Sequence, residues 1–416
     1  MVAVIYFGYK SLQIYALLTR NTDPSLYDRH HRRSALAIRN TALSLEGLLI
    51  KACQFAGSRA DILPPAYVEV LSELQDRVPP HEFSEIGPWL EQQLGRPTAE
   101  LFERLDEVPV AAASLAQVHR GLLHDGRDVA VKVKYPNIER IVATDLASIG
   151  FFIRWLAQLE SRFDIRLVFK EISELLPLEL DFVCEAANAR RFAANFADEP
   201  QVRFPVPIEE LTTRDLLVMS YIEGIKITDI SQMAAAGIDQ QEVARLLTRI
   251  YLVQILEHGF FHGDPHPGNL FVRPGPELVI LDLGLAKEFT TRMRAGLVAT
   301  TAAIAAAKPG KVAECLRALG FRTKSGQDRT LEILGEVFLG QALEAGRAYA
   351  DPAMVERISD ELLEALRRDP LIAAPSDLLL VLRVMGLLSG IGKQLESEVD
   401  PLEALMPHIG GRPVPS

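Results

Sequence analysis

The feature that most constrains the fold of this 416-residue chain is the stretch from residue 260 to residue 284, FFHGDPHPGNLFV followed by a turn and then LVILDLG. Two short apolar runs flank the turn-forming residues 273–276, and this arrangement predicts a β-hairpin. Asn269 follows Asp264 by five positions, and Asp282 lies at the end of the second run. Three oxygen-bearing side chains around one short hairpin is a spacing typical of phosphoryl-transfer sites.

Phosphoryl transfer requires a carboxylate that orients the attacking hydroxyl or water, and oxygen ligands that hold Mg²⁺ against the nucleotide phosphates. Asp264, Asn269 and Asp282 supply these groups. The prolines on either side of His266 restrict the loop between them, and we interpret His262 as a brace of this loop rather than a catalytic group. An Asp and an Asn five positions apart, or DLG by itself, is more often structural, so it is the combination of the two that indicates phosphoryl transfer.

A histidine metal site is the alternative interpretation of the same loop. His258, His262 and His266 lie close together in the sequence, but no cysteine or fourth histidine is nearby. Zinc sites usually combine four nitrogen or sulfur ligands, whereas Mg²⁺ prefers oxygen. We therefore expect magnesium at this loop and no zinc.

In the first half of the chain, the β-branched runs QVH and VAVKVK flank HDGR, whose Asp-Gly pair predicts a tight hairpin. Alternation along the second run places Lys132 and Lys134 on the same face. We expect Lys132, the lysine of VAVK, to hold the nucleotide phosphates. We expect Lys134 to be a solvated charge, because Tyr135 and Pro136 end the strand directly after it.

Three acids that could pair with Lys132 lie within seven positions, namely Glu179, Asp181 and Glu185. Asp181 and Glu185 would repel each other on an isolated helix, so a lysine or Mg²⁺ nearby would compensate their charge. They are equally well described as acids at a helix start, where the helix dipole favours negative charge. This segment alone leaves both interpretations open.

The position of a nucleotide-covering loop, just before the first hairpin, is occupied by alanines. The residues are Ala111, Ala112, Ala113 and Ser114. Alanine favours helix and restricts the close approach to phosphates that glycine permits. The tetrapeptide by itself is typical of a helix turn, and its position before VAVK makes it a candidate nucleotide loop.

Composition limits the remaining possibilities. The net charge of −11 disfavours nucleic-acid binding. The three cysteines are widely spaced without a metal-ligand pattern, as expected in a reducing compartment. No apolar stretch has the length of a membrane span. The apolar residues 1–18 predict a helix packed against the rest of the chain, with an interfacial role for its tyrosines as the alternative.

Together these motifs resemble the UbiB family of atypical protein-kinase-like proteins, which is associated with coenzyme Q and other isoprenoid-lipid metabolism. HGDPHPGN, DLG, VAVK and AAASLAQVH match the family, and LEGLLIKACQFAGSRADILPPAYVEVLSELQDRVPP is similar to its N-terminal extension with a KxGQ motif. The resemblance implies that Lys51 and Gln54 occupy the KxGQ positions. It also implies that Glu179 and Asp181 form the family's ExD motif.

The resemblance further implies roles for the two halves of the chain. Glu185 would pair with Lys132, Asp264 would be the catalytic-loop aspartate, and Asn269 and Asp282 would be the metal ligands. The family's extension covers the cleft where a protein kinase admits its peptide, and its lysine approaches the ExD acids. ATP hydrolysis or phosphorylation of a small or lipid-like molecule is therefore expected in preference to phosphorylation of proteins.

The sequence departs from the family pattern at three positions. Cys53 replaces the glycine of KxGQ, Ala116 replaces a glycine of the alanine-rich loop, and Leu283 stands where DFG is commoner. We expect Cys53 to add a side chain where the extension packs closely and Ala116 to stiffen the nucleotide loop. Leu283 is expected to have little effect.

We therefore predict an α+β, two-lobed protein-kinase-like fold with a helical N-terminal extension. The predicted parts are the extension with the KxGQ-like motif at 1–107, an N-lobe with inserted helices at 108–223 and a mostly helical C-lobe at 224–416. ATP or ADP with Mg²⁺ is expected between the lobes. A lipid or quinone precursor is a candidate ligand, nucleic acid is not a partner, and a cytoplasmic location with at most peripheral membrane contact is expected.

Two other functions stay open on the sequence. Aminoglycoside- and choline-kinase-like phosphotransferases share a very similar HGDxHPGN loop, although the N-terminal half of this chain argues against them. The second is a scaffold that binds nucleotide without turnover. Binding of Mg-nucleotide without phosphate release would favour the scaffold.

Overall fold

The computed structural model divides the chain into two compact units. The first consists of Met1–Ala187 and Val206–Tyr221, and the second of Asn188–Pro205 and Ile222–Ser416. The division into an extension and two lobes stays a prediction. The residues that the structure describes are 2–19, 24–45, 50, 53, 64–72, 74, 80–159, 173, 176–177, 180–306, 308–334, 364–365, 368–373, 375–399 and 404.

The first unit contains a five-stranded antiparallel sheet in which β1, β3, β4 and β6 are neighbours in that order and β2 pairs with β3. The hairpin predicted between β3 and β4 is confirmed, with the Leu123 N–H donating to the Arg127 carbonyl at 2.9 Å. Gly126 adopts a φ of +86° in this turn, a conformation that glycine accepts without strain. The strands are β1 (Phe102–Leu105), β2 (Ala111–Ala112), β3 (Ala116–Leu123), β4 (Asp128–Lys134) and β6 (Leu216–Ser220).

Strand β4 is buried on both faces. Val129, Val131 and Val133 lie in one apolar core with residues of β6. Ala130 lies on the other face, in a second cluster with Phe182. The alternation of a strand therefore directs Lys132 and Lys134 towards the second cluster.

The described residues before the sheet are mainly helical, as the sequence predicts. Helices α2 and α3 enclose a small core that includes Ala35, Ile50, Tyr67 and Leu71. The helices are α1 (Val2–Thr19), α2 (Pro24–Leu45), α3 (Pro65–Ser72) and α4 (Phe83–Leu94), followed after β4 by α5 (Ile138–Leu159) and α6 (Phe182–Asn195).

Helix α1 does not pack as expected. Leu17 and Leu18 are 83% and 79% exposed, and Phe7 is 65% exposed. Tyr9 does face inward, where its hydroxyl lies 2.9 Å from that of Tyr67. The expectation that this apolar segment packs against the rest of the chain is therefore wrong for one face of the helix.

The sequence of residues 204–224, with apolar runs on either side of Thr212 and Thr213, predicts two strands. The structure forms one, β6, so this prediction is wrong. Before β6 the chain makes a single bridge, from Pro207 to Met219, and a 3₁₀ turn at Glu209–Leu211. Proline has no N–H to donate to a neighbouring strand, and prolines occupy positions 205 and 207. The pairing with β6 is limited to the bonds of Ile208 N–H to the Val218 carbonyl and of Ser220 N–H to the Val206 carbonyl, because the chain turns away at Glu209.

The second unit contains a four-stranded sheet in the order β5-β10-β9-β7 and two two-stranded pairs, β8 with β11 and β12 with β13. The hairpin predicted around residues 273–276 is confirmed, with Leu270 opposite Ile280 and Arg273 opposite Glu277. The strands are β5 (Val202–Arg203), β7 (Ile225–Lys226), β8 (Phe260–His262), β9 (Leu270–Arg273), β10 (Glu277–Ile280), β11 (Ala286–Glu288), β12 (Arg322–Thr323) and β13 (Leu371–Ala373).

The rest of the second unit is helical in its described parts. The Asp239 carboxylate accepts from the Gln241 N–H at 2.9 Å and caps α8, which passes into a π-helical turn at Val253–His258. Among the helices of the described residues, none is long and apolar enough to cross a membrane. The helices are α7 (Ile230–Ala235), α8 (Gln240–Leu252), α9 (Thr291–Ala305), α10 (Pro309–Leu319) and α11 (Ser376–Gln394).

Candidate active site

Lys132 of β4 and Glu185 of α6 form a buried ion pair. The Lys132 ammonium donates to both carboxylate oxygens of Glu185 at 2.8 Å. The two side chains are only 13% and 4% exposed. The ammonium also lies 5.1 Å from the centre of the Phe182 ring, within range of a cation–π contact. An interior strand and the first turn of a helix therefore hold the lysine in one position.

Lys134 is buried, and the expectation that it is a solvated charge is wrong. Its side chain is 1% exposed, and its ammonium lies 2.8 Å from an oxygen of Asp215 and 3.2 Å from one of Glu139. The strand continues through this residue, since the Lys134 N–H donates to the Asp215 carbonyl at 3.0 Å. The charge is neutralised by partners that are distant in sequence, which a local pattern does not reveal.

Asp181 caps helix α6. Its carboxylate accepts from the backbone N–H groups of Val183 and Cys184 at 3.0 and 3.2 Å. Of the two interpretations left open by the sequence, the helix-start description fits Asp181 and the lysine partner fits Glu185. Its role in an ExD motif stays a prediction. The three remaining extension-related predictions, Lys51, Gln54 and Glu179, lie outside the described residues.

Cys53 lies in the core between the helices of the first unit. It is buried against a cluster that includes Ile50 and Tyr67. Burial raises the pKa of the Cys53 thiol to about 12, because the thiolate would lose its hydration. The cysteine therefore behaves as a small apolar side chain, as expected for a residue that adds bulk where the extension packs.

The alanine-rich loop is a short hairpin, so the expectation that its alanines favour helix is wrong. Ala111 and Ala112 form β2 and pair with β3. The Ala113 N–H donates to the Ala116 carbonyl at 2.8 Å, which places Ser114 in a tight turn. Pairing with β3 overrides the weak helical preference of alanine. Ala116 itself is buried at the start of β3.

A stacked pair of aromatic rings braces this loop. The Tyr135 hydroxyl donates to the Ala113 carbonyl at 3.1 Å. The His81 ring stacks on Tyr135 with a centroid distance of 4.0 Å. The His81 N–H donates to the Gln117 side-chain oxygen at 2.9 Å. The segment after the proline pair at 79–80 is therefore attached to both sides of the candidate nucleotide loop.

His119 continues this network in the interior of the first unit. Its Nδ1 lies 2.8 Å from the Asp106 carbonyl, and its Nε2 lies 2.8 Å from the Gln117 amide nitrogen. The carbonyl can only accept, so Nδ1 carries the proton and Nε2 accepts. The ring is completely buried, and desolvation lowers the pKa of His119 despite the opposing effect of its hydrogen bond to Asp106.

His262 is the corresponding buried histidine of the second unit. Its Nε2 donates to the Asp282 carbonyl at 3.0 Å, and its Nδ1 accepts from the Tyr251 hydroxyl at 2.8 Å. Its backbone N–H donates to the Gln254 side chain at 2.9 Å. Desolvation lowers the pKa of His262, so the ring is neutral. The histidine joins the HGD and DLG segments, which is the bracing role that the sequence indicates.

Gly263 lies in close contact with the chain after DLG. Its N–H donates to the Leu285 carbonyl at 2.8 Å. A Cβ at Gly263 would lie 2.9 Å from Leu285 Cγ and 3.4 Å from the Leu285 carbonyl oxygen. A Cβ at position 263 would therefore require the Leu285 side chain to shift.

The loop from Asp264 to Asn269 is fixed by hydrogen bonds along its own backbone. The His266 N–H donates to the Asp264 carbonyl at 2.7 Å, and the Asn269 N–H donates to the His266 carbonyl at 2.9 Å. The Asn269 amide nitrogen donates to the Asp264 carbonyl at 3.5 Å. This bond orients the side-chain amide and leaves its oxygen available as an acceptor. The prolines and the 3₁₀ turn at Pro267–Asn269 complete a rigid loop.

Asp282 lies beside this loop in a strained conformation. The Leu281 N–H donates to the Asn269 carbonyl at 2.8 Å, so the residue before Asp282 is bonded to Asn269. Asp282 has a φ of +53°, in the left-handed region that non-glycine residues rarely adopt. Leu283 is buried, and its carbonyl accepts from the Asn188 amide at 2.9 Å. Asp282 itself is exposed at the end of the hairpin.

Sequence reasoning missed an arginine at this site. Arg383 of α11 lies with its Nη2 3.1 Å from Oδ1 of Asp264. In the sequence Arg383 is visible only as the charge that interrupts an apolar helix, DLLLVLRVMGLLSGIGK. A single charge on an otherwise apolar helix is the sequence feature that marks this arginine, but that feature does not identify Asp264 as its partner.

The donor set of the second unit fits magnesium. Asp282 offers a carboxylate and Asn269 an amide oxygen, the hard ligands that Mg²⁺ prefers. Within the part of the chain that the structure describes, no group of three or more histidines, cysteines and acids could hold a metal by itself. This set would suit an ion that completes its shell with phosphate oxygens and water.

A family model for the ABC1 atypical kinase-like domain matches residues 73–316. Among similar proteins, an uncharacterized protein of Synechocystis sp. is 34% identical over 93% of this chain and 66% of its own length. The chloroplastic protein ACTIVITY OF BC1 COMPLEX KINASE 8 of Arabidopsis thaliana is 32% identical over 91% of this chain and 54% of its own length. The chain thus spans about half to two thirds of these relatives.

AarF domain-containing protein kinase 1 of Xenopus tropicalis is 36% identical over 65% of this chain and 53% of its own length. A solved complex of Rv3197 with erythromycin from Mycobacterium tuberculosis has a similar fold, with a TM-score of 0.63 at 23% identity over 92% of this chain and 97% of that one. The predicted α+β, kinase-like fold with a helical N-terminal region is thereby confirmed. The chain belongs to the ABC1 family of atypical kinase-like proteins, the UbiB family that its motifs indicate.

Proposed function

We propose that this chain binds Mg-ATP and either hydrolyses it or transfers its terminal phosphate to a small or lipid-like acceptor. The observation that carries the proposal is the Lys132–Glu185 ion pair. An ammonium held by a buried glutamate on an interior strand is a fixed cation of the kind that binds the nucleotide phosphates in kinases. Glu185 orients Lys132, and Lys132 holds the phosphates.

The second unit supplies the remaining groups in this proposal. Asp264 orients the attacking hydroxyl or water, and Asn269 and Asp282 hold the magnesium ion. When bound, the metal would neutralise negative charge on the phosphate oxygens. His262 and Gly263 keep the HGD and DLG segments in contact, so the oxygens of Asp264 and Asp282 keep their positions during the reaction.

The alanine-rich loop covers the nucleotide in this proposal. The residues are Ala111, Ala112, Ala113 and Ser114, and their support is the turn that Tyr135 braces at Ala113. Lys51, Gln54, Glu179 and Asp181 belong to the extension and its partner acids, which by family resemblance restrict access to the acceptor side. A restricted acceptor side favours water or a small or lipid-like molecule over a protein substrate.

The acceptor is proposed to belong to isoprenoid quinone or lipid metabolism, which is the context that the family resemblance implies. A cationic acceptor, such as an aminoglycoside or choline, fits less well, because Arg383 brings a positive charge to Asp264. Peripheral contact with a membrane is supported by the exposed apolar side chains of α1, Phe7, Leu17 and Leu18.

Steady-state phosphate release by the purified chain with Mg-ATP tests the proposal. Asp282→Asn is expected to lower the rate by about 100-fold or more, because it removes an anionic metal ligand. Asp198→Asn, at an exposed acid in a turn of the same unit, is the matched control and is expected to keep the wild-type rate. Wild-type turnover in Asp282→Asn would rule out the assignment.

The same assay separates turnover from a scaffold. Tight Mg-nucleotide binding with neither phosphate release nor a phosphorylated acceptor, with and without anionic lipid vesicles, would identify a nucleotide-binding scaffold and overturn the enzymatic proposal. Repeating the assay with quinone precursors and lipids as acceptors distinguishes transfer from hydrolysis, since transfer yields a phosphorylated acceptor in place of free phosphate.

A further inference from the structure

Arg383 contacts the proposed nucleophile-orienting carboxylate from a part of the chain that the family model does not match. The matched residues end at 316, whereas α11 begins at Ser376. The Arg383 guanidinium lies 3.1 Å from Asp264, and the two side chains are 12% and 27% exposed. The pair joins α11 to the loop between β8 and β9, 119 residues earlier.

Helix α11 is anchored on both sides of Arg383. Near its start, Asp377 lies 2.9 Å from the ammonium of Lys287 in β11, the strand that follows DLG. At its end, the Gln241 amide donates to the Glu396 carbonyl at 2.7 Å and accepts from the Glu398 N–H at 2.9 Å. The helix is therefore bonded to Asp264 of HGD and to the strand after DLG, and the residues just beyond its end are bonded to the start of α8.

Apolar contacts hold the same helix against the second unit. Leu378 packs in a cluster with Val312 and Leu316 of α10, and Val384, the neighbour of Arg383, is completely buried. Because ion pairs, hydrogen bonds and apolar packing all fix α11, a rigid helix rather than a flexible tail positions Arg383 next to Asp264.

The Asp264 carboxylate needs such a contact if it is to orient a substrate. The terminal torsion of an aspartate is broad, so rotamer preference alone fixes its two oxygens poorly. The hydrogen bonds within the Asp264 loop use its backbone carbonyl, whereas Arg383 contacts a carboxylate oxygen. A charge-assisted hydrogen bond to one oxygen defines the direction in which the other points.

We propose that Arg383 is a positioning residue that fixes the Asp264 carboxylate for phosphoryl transfer. This inference rests on the function proposed above. A partly buried ion pair gives little net stability, because desolvation of two charges offsets their attraction. The ion pair therefore serves to fix the orientation of the Asp264 carboxylate, and α11 is a required part of the site rather than a helix that only covers it.

The test is a double-mutant cycle on phosphate release with Mg-ATP, using Arg383→Met, Asp264→Asn and the double variant. Arg383→Met is expected to lower kcat by about 10- to 100-fold without changing the KM for ATP, since small displacements of a reacting group have effects of this size. Arg383→Lys, which keeps a charge, is expected to recover part of the rate. In the Asp264→Asn background, Arg383→Met is expected to have no further effect.

Lys393→Met is the matched control, because it removes a cation from an exposed position of the same helix. Thermal unfolding of the wild type, the two single variants and the double variant gives a readout independent of turnover. Arg383→Met is expected to lower Tm in the wild-type background, because the Asp264 charge is then left partly buried without its partner. It is not expected to do so in Asp264→Asn, where the carboxylate charge is already absent.

The outcomes separate this inference from the proposed function. If Asp264→Asn is impaired but Arg383→Met keeps the wild-type kcat, the positioning role is overturned and the proposed function stays intact. Equal losses from Arg383→Met in both backgrounds would also overturn it, because the arginine would then act independently of Asp264. If the wild-type chain gives neither free phosphate nor a phosphorylated acceptor from Mg-ATP, the proposed function and this inference are overturned together.

Discussion

The two clusters proposed to bind Mg-ATP hold their polar groups by different means. In the first unit, Lys132 and Lys134 are held by carboxylates from other parts of the chain, at 2.8 Å from Glu185 and from Asp215. In the second unit, the motif segments are held mostly through the backbone, as in the bonds of His262 to the Asp282 carbonyl and of Gly263 to Leu285.

This difference assigns different tasks to the two clusters. A lysine bonded by a carboxylate can exchange part of that bond for a phosphate, because both partners are anions. A loop fixed through its backbone leaves side-chain oxygens to a metal ion and an acceptor. The lysines of the first unit are therefore suited to holding a ligand, and the motif segments of the second unit to keeping reacting groups at fixed distances.

The largest expected effect distinguishes the two lysines of β4. Lys132→Met is expected to lower phosphate release by about 100- to 1,000-fold, the loss typical of removing one electrostatic contact to a transition state. It should also lower the free energy of unfolding by about 3–5 kcal/mol, because the Glu185 charge is left buried without its partner. Phosphate release and urea unfolding of the purified variant measure the two effects.

Lys134→Met is the matched control, since it removes a cation from the same face of the same strand. Its partners Glu139 and Asp215 are partly exposed, so their charges stay hydrated and the variant is expected to fold and to turn over ATP at close to the wild-type rate. Equal losses of turnover in the two variants would contradict the assignment of Lys132 as the phosphate lysine.

A smaller effect is expected at the backbone contact of the second unit. Gly263→Ala introduces a Cβ 2.9 Å from Leu285 Cγ, and it should destabilise the chain by about 1–3 kcal/mol. Phosphate release should fall as well, because Asp264 follows directly. Gly310→Ala is the control, as its Cβ would meet no atom within 4 Å. An unchanged midpoint in urea for Gly263→Ala would show that this contact is not tight.

The smallest effect concerns pH and the buried His119 of the first unit. Its pKa is lowered in the folded chain from the ordinary 6.5, so below that pH the unfolded chain binds a proton that the folded chain does not. The free energy of unfolding should therefore fall as the pH falls through 6.5, by at most about 1.4 kcal/mol per pH unit.

His119→Asn provides the comparison, because its amide can donate to the Asp106 carbonyl as Nδ1 does but does not titrate. Urea unfolding at pH 7.5 and pH 5.5 should show a smaller loss of stability on acidification in this variant than in the wild type. The same loss in both proteins would mean that His119 does not contribute to the pH dependence.

Local patterns predict the two hairpins and the sequence motifs of this fold. The Asp-Gly turn predicts the β3–β4 hairpin, and the run around residues 273–276 predicts the β9–β10 hairpin, because turn chemistry acts within a few residues. The motif spacing also brings Asp264, Asn269 and the residue before Asp282 into one hydrogen-bonded loop, since all three lie around a single hairpin.

The features that sequence reasoning missed depend on distant partners. The burial of Lys134 depends on Asp215, 81 positions later, and the contact of Asp264 depends on Arg383. The strand at Ala111–Ala112 forms because β3 offers a partner, against a weak helical preference. The exposure of one face of α1 likewise follows from what the rest of the chain covers, which hydropathy alone does not reveal.

The central claim is that Lys132 and Asp282 act on the same magnesium-bound nucleotide. The most direct test is labelling with an acyl-phosphate derivative of ATP, which acylates lysines next to bound phosphates, followed by mass spectrometry of the peptides. The account predicts labelling of Lys132 that requires Mg²⁺, is blocked by excess ATP and is lost in Asp282→Asn, while the exposed Lys324 reacts equally in all samples. Labelling of Lys132 that is absent in the wild type, or unchanged in Asp282→Asn, would contradict it.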